Sequence, residues 1–168
     1  MNELVMRVAR PEDYDSYYKI KCDPKNVEWS GFSTPPKYDV LKQRYEQFFS
    51  DEKQGLLLFE SDNRVIGYVN YWVSADGREI ETSHGALSEK TVKGLGTKML
   101  RLAIAHIEHG DNRLQAQSII GWVSEYNIAS LQNVLRNGYK STGETEIRQI
   151  GSNEHKFTKY KRAKTNYE

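Results

Sequence analysis

The chain has 168 residues, 38% of them apolar and 28% charged, with a net charge of +1. That length suffices to bury one substantial core, and the composition excludes a disordered, collagen-like or disulfide-dense chain. The near-zero charge supplies no global field for gripping a nucleic-acid backbone, so no nucleic-acid partner is expected.

Residues 4–9 alternate as a first strand. Arg10-Pro11-Glu12-Asp13 opens a helix, because proline suits a first-turn position and acids suit the positive end of the dipole. Tyr14, Tyr17 and Tyr18 fall on one side of it. Residues 22–38 look irregular, broken by Pro24, Gly31, Pro35 and Pro36. A second helix over 39–49 carries Val40, Leu41, Tyr45, Phe48 and Phe49 at helical spacing. Strands at 56–60 and 65–74 flank the polar turn Ser61-Asp62-Asn63-Arg64 and form a hairpin. After the turn Ala75-Asp76-Gly77 comes a strand over 79–87. The clearest helix spans 94–109, with Leu95, Met99, Leu102, Ala103 and Ile107 inward and Gly110 ending it. A strand at 115–123, a helix at 128–136 closed by Asn137-Gly138, and strands at 139–148 and 155–162 complete the order.

The order β-α-α-β-β-β-α-β-α-β-β predicts one α/β domain over 1–168. Short turns make strands two to four antiparallel, and the strand–helix–strand step after Leu87 favours one parallel pair. The expectation is a single mixed, mostly antiparallel sheet of about seven strands with helices on both faces. Cys22 is the single cysteine, which excludes an internal disulfide and a multi-cysteine metal site; no metal is expected. No window approaches the ~20 apolar residues of a spanning helix, and residues 1–7 lack signal-peptide character. A soluble, cytoplasmic protein without a membrane partner is expected. The basic run His155, Lys156, Lys159, Lys161, Arg162 and Lys164 reads as a solvated edge.

Two blocks carry chemistry. In residues 87–98 a strand ends, a short loop turns, and Gly94 and Gly96 open a long amphipathic helix. Glycines there let backbone amides approach an anion, and the helix start adds unsatisfied N–H groups and partial positive charge. The block suits a diphosphate, with Lys93 and Lys98 as supporting charges; a purely structural pair of glycines is the alternative. A Walker loop is excluded because Thr97 separates Gly96 from Lys98, and a dinucleotide fingerprint because Met99 stands where a third glycine belongs. In residues 127–139, Asn127 caps a helix and Gly138 ends it.

Together, in this order, the blocks resemble the GNAT acetyltransferase superfamily, and the element order of nearly the whole chain is similar to that fold. The family's acetyl-CoA motif, Gln/Arg-x-x-Gly-x-Gly/Ala, is matched by Thr91-Val92-Lys93-Gly94-Leu95-Gly96, with a departure at Thr91. Asn127, Ser130, Gly138 and Tyr139 match the Asn-x-x-Ser…Gly-Phe/Tyr pattern of the ribosomal-protein-alanine N-acetyltransferase branch. The strand Val65-Ile66-Gly67-Tyr68 also resembles the family's third strand. The resemblance implies acetyl-CoA as cosubstrate, held by Ala86, Leu87, Lys93, Gly94, Leu95, Gly96, Thr97, Lys98, Asn127 and Ser130. Pantetheine would pair with the fourth strand's free edge near Ala86 and Leu87. Many members are dimers, and homodimerisation is left open.

Attack of an amine on a thioester needs a proton acceptor, and the departing thiolate benefits from a donor. The fourth strand carries Glu79, Glu81, Ser83 and Gly85 on one face and Thr82, His84 and Ala86 on the other. Glu81 sits where some relatives place a base glutamate; His84, Glu144 and Glu146 compete. Many members place a thiolate-protonating tyrosine seven residues after the motif asparagine, but that position is Val134. Ser130 is the substitute the Asn-x-x-Ser branch implies, with Tyr126 and Tyr139 as fallbacks. For the acceptor, the loop 23–34 offers Trp29 and Phe32 as cleft walls and Asp23 and Glu28 as attraction for a cationic amine. The function so implied is N-acetylation of a primary amine: a protein N-terminus, an amino sugar or a small amine. A non-catalytic acyl-CoA-binding module is the alternative, given Val134 and the missing Gln/Arg.

Overall fold

The computed structural model describes residues 3–30, 34–89, 93–109 and 114–164. Its strands are β1 (Val5–Val8), β2 (Gln54–Ser61), β3 (Arg64–Val73), β4 (Glu79–Ala86), β5 (Ser118–Ser124), β6 (Lys140–Ile150) and β7 (Asn153–Ala163). Its helices are α1 (Tyr14–Lys21), α2 (Pro24–Glu28), α3 (Tyr38–Gln47), α4 (Leu95–His109) and α5 (Ile128–Arg136), with a 3-10 turn at Pro11–Asp13 leading into α1. The seven strands form one sheet in the order β1-β2-β3-β4-β5-β7-β6. Every neighbour pair is antiparallel except β4 and β5. The expected mixed sheet is therefore present.

The run Leu56-Leu57-Leu58-Phe59 is apolar throughout because β2 is covered on both faces. Leu57 and Phe59 join Val69, Ile80 and Ile119 beneath α4, which inserts Met99, Leu100, Ala103 and Ile107. Leu56 and Leu58 join Tyr14, Tyr17, Ile20, Tyr45 and Tyr68 on the side of α1 and α3. The β2–β3 turn places Asp62 and Asn63 at φ 53 and 60, the left-handed region that a two-residue hairpin turn demands and short polar side chains tolerate.

The sequence-based outline differs from the structure mainly at element ends and at α2. Residues 24–28 look irregular by apolar spacing, yet Asp23 caps a helix there, its carboxylate accepting from the Lys25 N–H at 3.1 Å, with Pro24 in the first turn. Strands β2 and β6 also run further than the apolar pattern indicates. Gly110, Thr91 and Phe32 lie outside the described residues. No helix among the described residues is long and apolar enough to cross a membrane.

Candidate active site

The site begins where the sheet comes apart. Strands β4 and β5 pair only over Glu79–Ser118, Ile80–Ile119 and Glu81–Ile120. Beyond that point β4 stays on β3, while β5 stays on β7 as far as Ser124. Tyr139 fills the base of the split: it is buried, its hydroxyl lies 3.3 Å from Thr82 Oγ1, and its ring lies under Gly121. Burial pushes its phenol up to about 12, so it stays neutral.

The hydrogen-bond phase of β4 shows what the split exposes. The Leu87 N–H donates to the Ile66 carbonyl, which makes Gly67–Ala86 a non-hydrogen-bonded pair of the β3–β4 ladder. The backbone groups of His84 and Ala86 consequently point away from β3, toward the side β5 has left. The Ala86 carbonyl accepts from the Asn26 side-chain amide at 3.2 Å, and the same amide donates to the Ile20 carbonyl at 2.7 Å. Asn26 thus ties α2 to both α1 and β4.

Two cavities meet at this split, sharing Asn26, Trp29, His84, Asn127 and Ser130. The larger, about 690 Å³, runs between the end of β4 and the starts of α4 and α5. It is lined by Ala86, Leu87, Lys93, Gly94, Leu95 and Gly96, among others. Its charged walls among the described residues are Lys25, Lys93 and Arg136, with no carboxylate. Such a lining favours an anion. Gly94 sits at φ +78 before the helix, a conformation that favours glycine, and nothing within 4 Å would obstruct a side chain there.

Gly96 serves a different end. A Cβ at Gly96 would lie 2.2 Å from Asn133 Nδ2, so its glycine permits close approach of α4 to α5. Asn133 is in turn held by Thr97, whose Oγ1 donates to Asn133 Oδ1 at 2.9 Å, and its Nδ2 lies 3.4 Å from His84 Nε2. Asn137 completes the seam by donating to the Thr97 and Asn133 carbonyls. The Thr97 side chain is thereby turned inward and buried, and Lys98 is exposed; neither lines the larger cavity.

The smaller cavity, about 320 Å³, opens on the α1–α2 face of the sheet. Glu81 pairs across the ladder with Trp72 and so shares its face. Its carboxylate accepts no hydrogen bond among the described residues, and burial pushes its pKa up, partly countered by Arg148. His84 points to the opposite face, toward Asn133, and burial lowers its pKa, which keeps it neutral. Glu79 is already committed to Lys159 at 2.7 Å and Lys161 at 2.9 Å. Glu144 and Glu146 are exposed; Glu144 lies 3.5 Å from Lys159, Glu146 pairs with Arg148, and neither lines the cavity.

The loop residues divide in the same way. Trp29 lines both cavities and packs edge-on against His155 with 5.7 Å between ring centres. Asp23 is buried and has no role left for an incoming amine: besides capping α2, it accepts from the Ser88 N–H and hydroxyl, both at 2.9 Å. Glu28 is exposed and lines neither cavity. Asn127 caps α5 by accepting from the Ser130 N–H at 3.2 Å, which leaves the Ser130 hydroxyl at the junction of the cavities.

Comparison with known proteins fixes the family. The family model described as an acetyltransferase (GNAT) domain matches residues 3–140. The chain belongs to the GNAT acetyltransferase family. Among solved structures, the fold resembles a ribosomal-protein-alanine N-acetyltransferase of Brucella melitensis, at 19% identity and TM-score 0.79, covering 95% of this chain and 99% of that one. A spermidine N-acetyltransferase of Vibrio cholerae, in complex with CoA and spermine, superimposes with TM-score 0.82 at 16% identity, covering 96% and 95%. The yncA protein of Salmonella typhimurium, with acetyl-CoA, gives TM-score 0.79 at 19% identity, covering 98% and 95%. In sequence, 66 residues, 39% of the chain, are 36% identical to isocyanide synthase A of Aspergillus fumigatus, of which they cover 10%.

In this GNAT domain the structure brings Ala86, Leu87, Lys93, Gly94, Leu95, Gly96, Asn127 and Ser130 around one cavity. It gathers Trp29, Glu81 and Ser130 around the other. Sequence reasoning missed Asn26, Lys21, Trp72, Trp122 and Arg148, which also line the site. Asn26 carries a signal in its neighbours, since Asp-Pro announces the helix that presents it. Lys21 and Arg148 lie 127 positions apart on elements that meet only through the sheet, and spacing along the chain cannot join them.

Proposed function

We propose that this GNAT domain transfers the acetyl group of acetyl-CoA to a primary amine by direct attack, without an acyl-enzyme intermediate. The observation that carries it is the meeting of two chemically different cavities at the β4–β5 split. One is walled by cations and glycine backbone; the other holds a single carboxylate among aromatic rings. The spermidine and ribosomal-protein-alanine acetyltransferases of the same fold act on amines, which supports the acceptor class.

In this assignment the diphosphate of CoA rests on the amides at Gly94, Leu95 and Gly96 at the start of α4, with Lys93 beside it. Thr97 contributes through the helix start rather than through its side chain, and Lys98, whose N–H donates to the Gly94 carbonyl at 3.0 Å, through the charge of its exposed side chain. Pantetheine fills the gap left by β5, pairing with the outward backbone groups of β4 near His84 and Ala86, past Leu87. Asn127 holds the start of α5 so that the Ser130 hydroxyl faces the sulfur. Trp29 walls the acceptor side.

Glu81 is the proposed base. Its raised pKa makes it a better proton acceptor than an ordinary glutamate, and no neighbour neutralises it by a hydrogen bond. The ammonium gives up a proton toward Glu81; nitrogen bonds to the thioester carbon; the C–S bond breaks; and the sulfur takes a proton, with Ser130 as the nearest donor. The second amine proton replaces the one that Ser130 gives to the sulfur, and Glu81 releases its proton to solvent. Val134, where many relatives carry a tyrosine, is buried in the core and supplies no donor.

The test is thiol release from acetyl-CoA across a panel of amines. Transfer that falls by about 10²–10⁴ in Glu81→Gln supports the assignment. CoA binding with no transfer to any amine would instead favour a non-catalytic acyl-CoA-binding module.

A further inference from the structure

All three tryptophans of the chain, Trp29, Trp72 and Trp122, line the smaller cavity. Tyr68 and Phe157 add two more rings. At about 320 Å³ the space lies at the low end of small-ligand sites, and its flat walls suit one planar body.

The charges in this cavity are unbalanced. Glu81 is its only carboxylate among the described residues, against Lys21 and Arg148. Among the described residues Lys21 finds only a phenol: its Nζ donates to the Tyr68 hydroxyl at 3.4 Å and lies 5.4 Å from that ring's centre. Arg148 lies 4.6 Å from the centre of the Phe157 ring and 5.4 Å from that of Trp122. It meets exposed Glu146 through Nε, so its Nη groups have no carboxylate among the described residues. Rings fix the plane of the guanidinium and leave its fork aimed for an anion. Because Lys21 stands over β3 and Arg148 over β5 and β7, the two cations flank Glu81 on β4. A polycation entering here meets Lys21, which has no carboxylate partner among the described residues, and Arg148 beside its partner Glu146; a plain amine leaves Lys21 and the Arg148 Nη groups unanswered.

Resting on the amine-transfer assignment, we propose that the acceptor is an α-amino acid, or a close analogue, with a planar apolar side chain. Its ammonium faces Glu81, its carboxylate is drawn by Arg148 and Lys21, and its ring lies among the tryptophans. The reaction forms the N–C bond of an N-acetylamino acid, breaks the C–S bond and releases CoA thiol.

The experiment compares L-phenylalanine and L-tryptophan with their decarboxylated counterparts, 2-phenylethylamine and tryptamine, and with spermidine, by thiol release from acetyl-CoA. In parallel, tryptophan fluorescence is followed as L-phenylalanine is titrated into the CoA complex. The expected result is kcat/KM about tenfold or more higher for the amino acids than for the decarboxylated amines, as loss of one charge-assisted contact implies. Lys21→Gln and Arg148→Gln should each raise KM for L-phenylalanine, leave KM for acetyl-CoA unchanged and narrow that gap; fluorescence should change on titration. Equal or better use of decarboxylated amines or spermidine overturns the inference, as does an unchanged gap in both variants. Absence of any fluorescence change with CoA bound overturns it even if no amine is acetylated. Failure to bind acetyl-CoA at all overturns the transfer assignment itself and is read separately by calorimetry.

Discussion

Replacing Gly96 by alanine tests the seam between α4 and α5. The added Cβ would stand 2.2 Å from Asn133 Nδ2, more than an ångström inside ordinary contact at 3.4 Å, and 2.9 Å from Asn133 Cγ. Relief requires the Asn133 amide to swing away, which abandons the 2.9 Å bond from Thr97 Oγ1. The Thr97 side chain is only 6% exposed, so its hydroxyl would be left buried without that partner, at about 1–3 kcal/mol. Alanine offsets part of this, because it is preferred to glycine within a helix by up to about 1 kcal/mol. Gly96→Ala should therefore destabilise the fold by about 0.5–2 kcal/mol. In an Asn133→Ala background, where the obstruction is gone, the same change should be stabilising by about 0.5–1 kcal/mol. A double-mutant cycle by urea unfolding should return a coupling of about 1–3 kcal/mol, well above the ~0.5 kcal/mol seen for independent sites. Additive effects, or a Gly96→Ala protein as stable as the parent with Asn133 intact, would refute the close-approach role of Gly96.

Further outcomes follow at three residues. Glu81 has a raised pKa, so kcat/KM for amine transfer should fall on the acid side around a value above 4.5, a limb that persists in His84→Asn and disappears in Glu81→Gln. Burial disfavours the charged carboxylate, so ionised Glu81 detracts from stability as pH rises through its folded pKa; Glu81→Gln should be at least as thermostable as the parent at pH 7. Asp13, which accepts from Arg7 Nη1 at 2.7 Å and Nη2 at 2.8 Å and from the Arg10 N–H at 2.7 Å, has a lowered pKa. Its stabilisation is present above the unfolded value near 3.8 and is lost as pH falls; Asp13→Asn should cost about 2–3 kcal/mol at pH 7, read by urea unfolding. Asp23→Ala removes both the α2 cap and the acceptor for Ser88, and should cost about 1–3 kcal/mol, again by urea unfolding, and raise the KM for acetyl-CoA, because α2 presents Asn26 to Ala86.

Much of the fold was legible because its signals are local. The apolar stripe of α4, the cap at Asn127 and the Asp62-Asn63 turn each act within a few residues, and the structure shows all three. The helix α2 escaped a search for apolar spacing because it buries no whole residue and exists through its cap and proline. Gly96 looked like a phosphate contact from its neighbours in sequence; that it also admits Asn133, 37 positions later, depends on packing that no local pattern encodes. Asp23 likewise looked available to a cationic substrate until its two oxygens proved occupied. The cations of the smaller cavity were illegible for the same reason, since the sheet alone brings α1 and β6 to either side of Glu81.

The central claim is that the β4–β5 split is where CoA and acceptor meet, and a crystal structure of the CoA complex tests it most directly. The account predicts the diphosphate on the Gly94–Gly96 amides, pantetheine along the outward edge of β4 near Ala86, and the sulfur beside Ser130 Oγ on the path to Glu81. A diphosphate bound away from the start of α4, or a sulfur outside the junction of the two cavities, would contradict it.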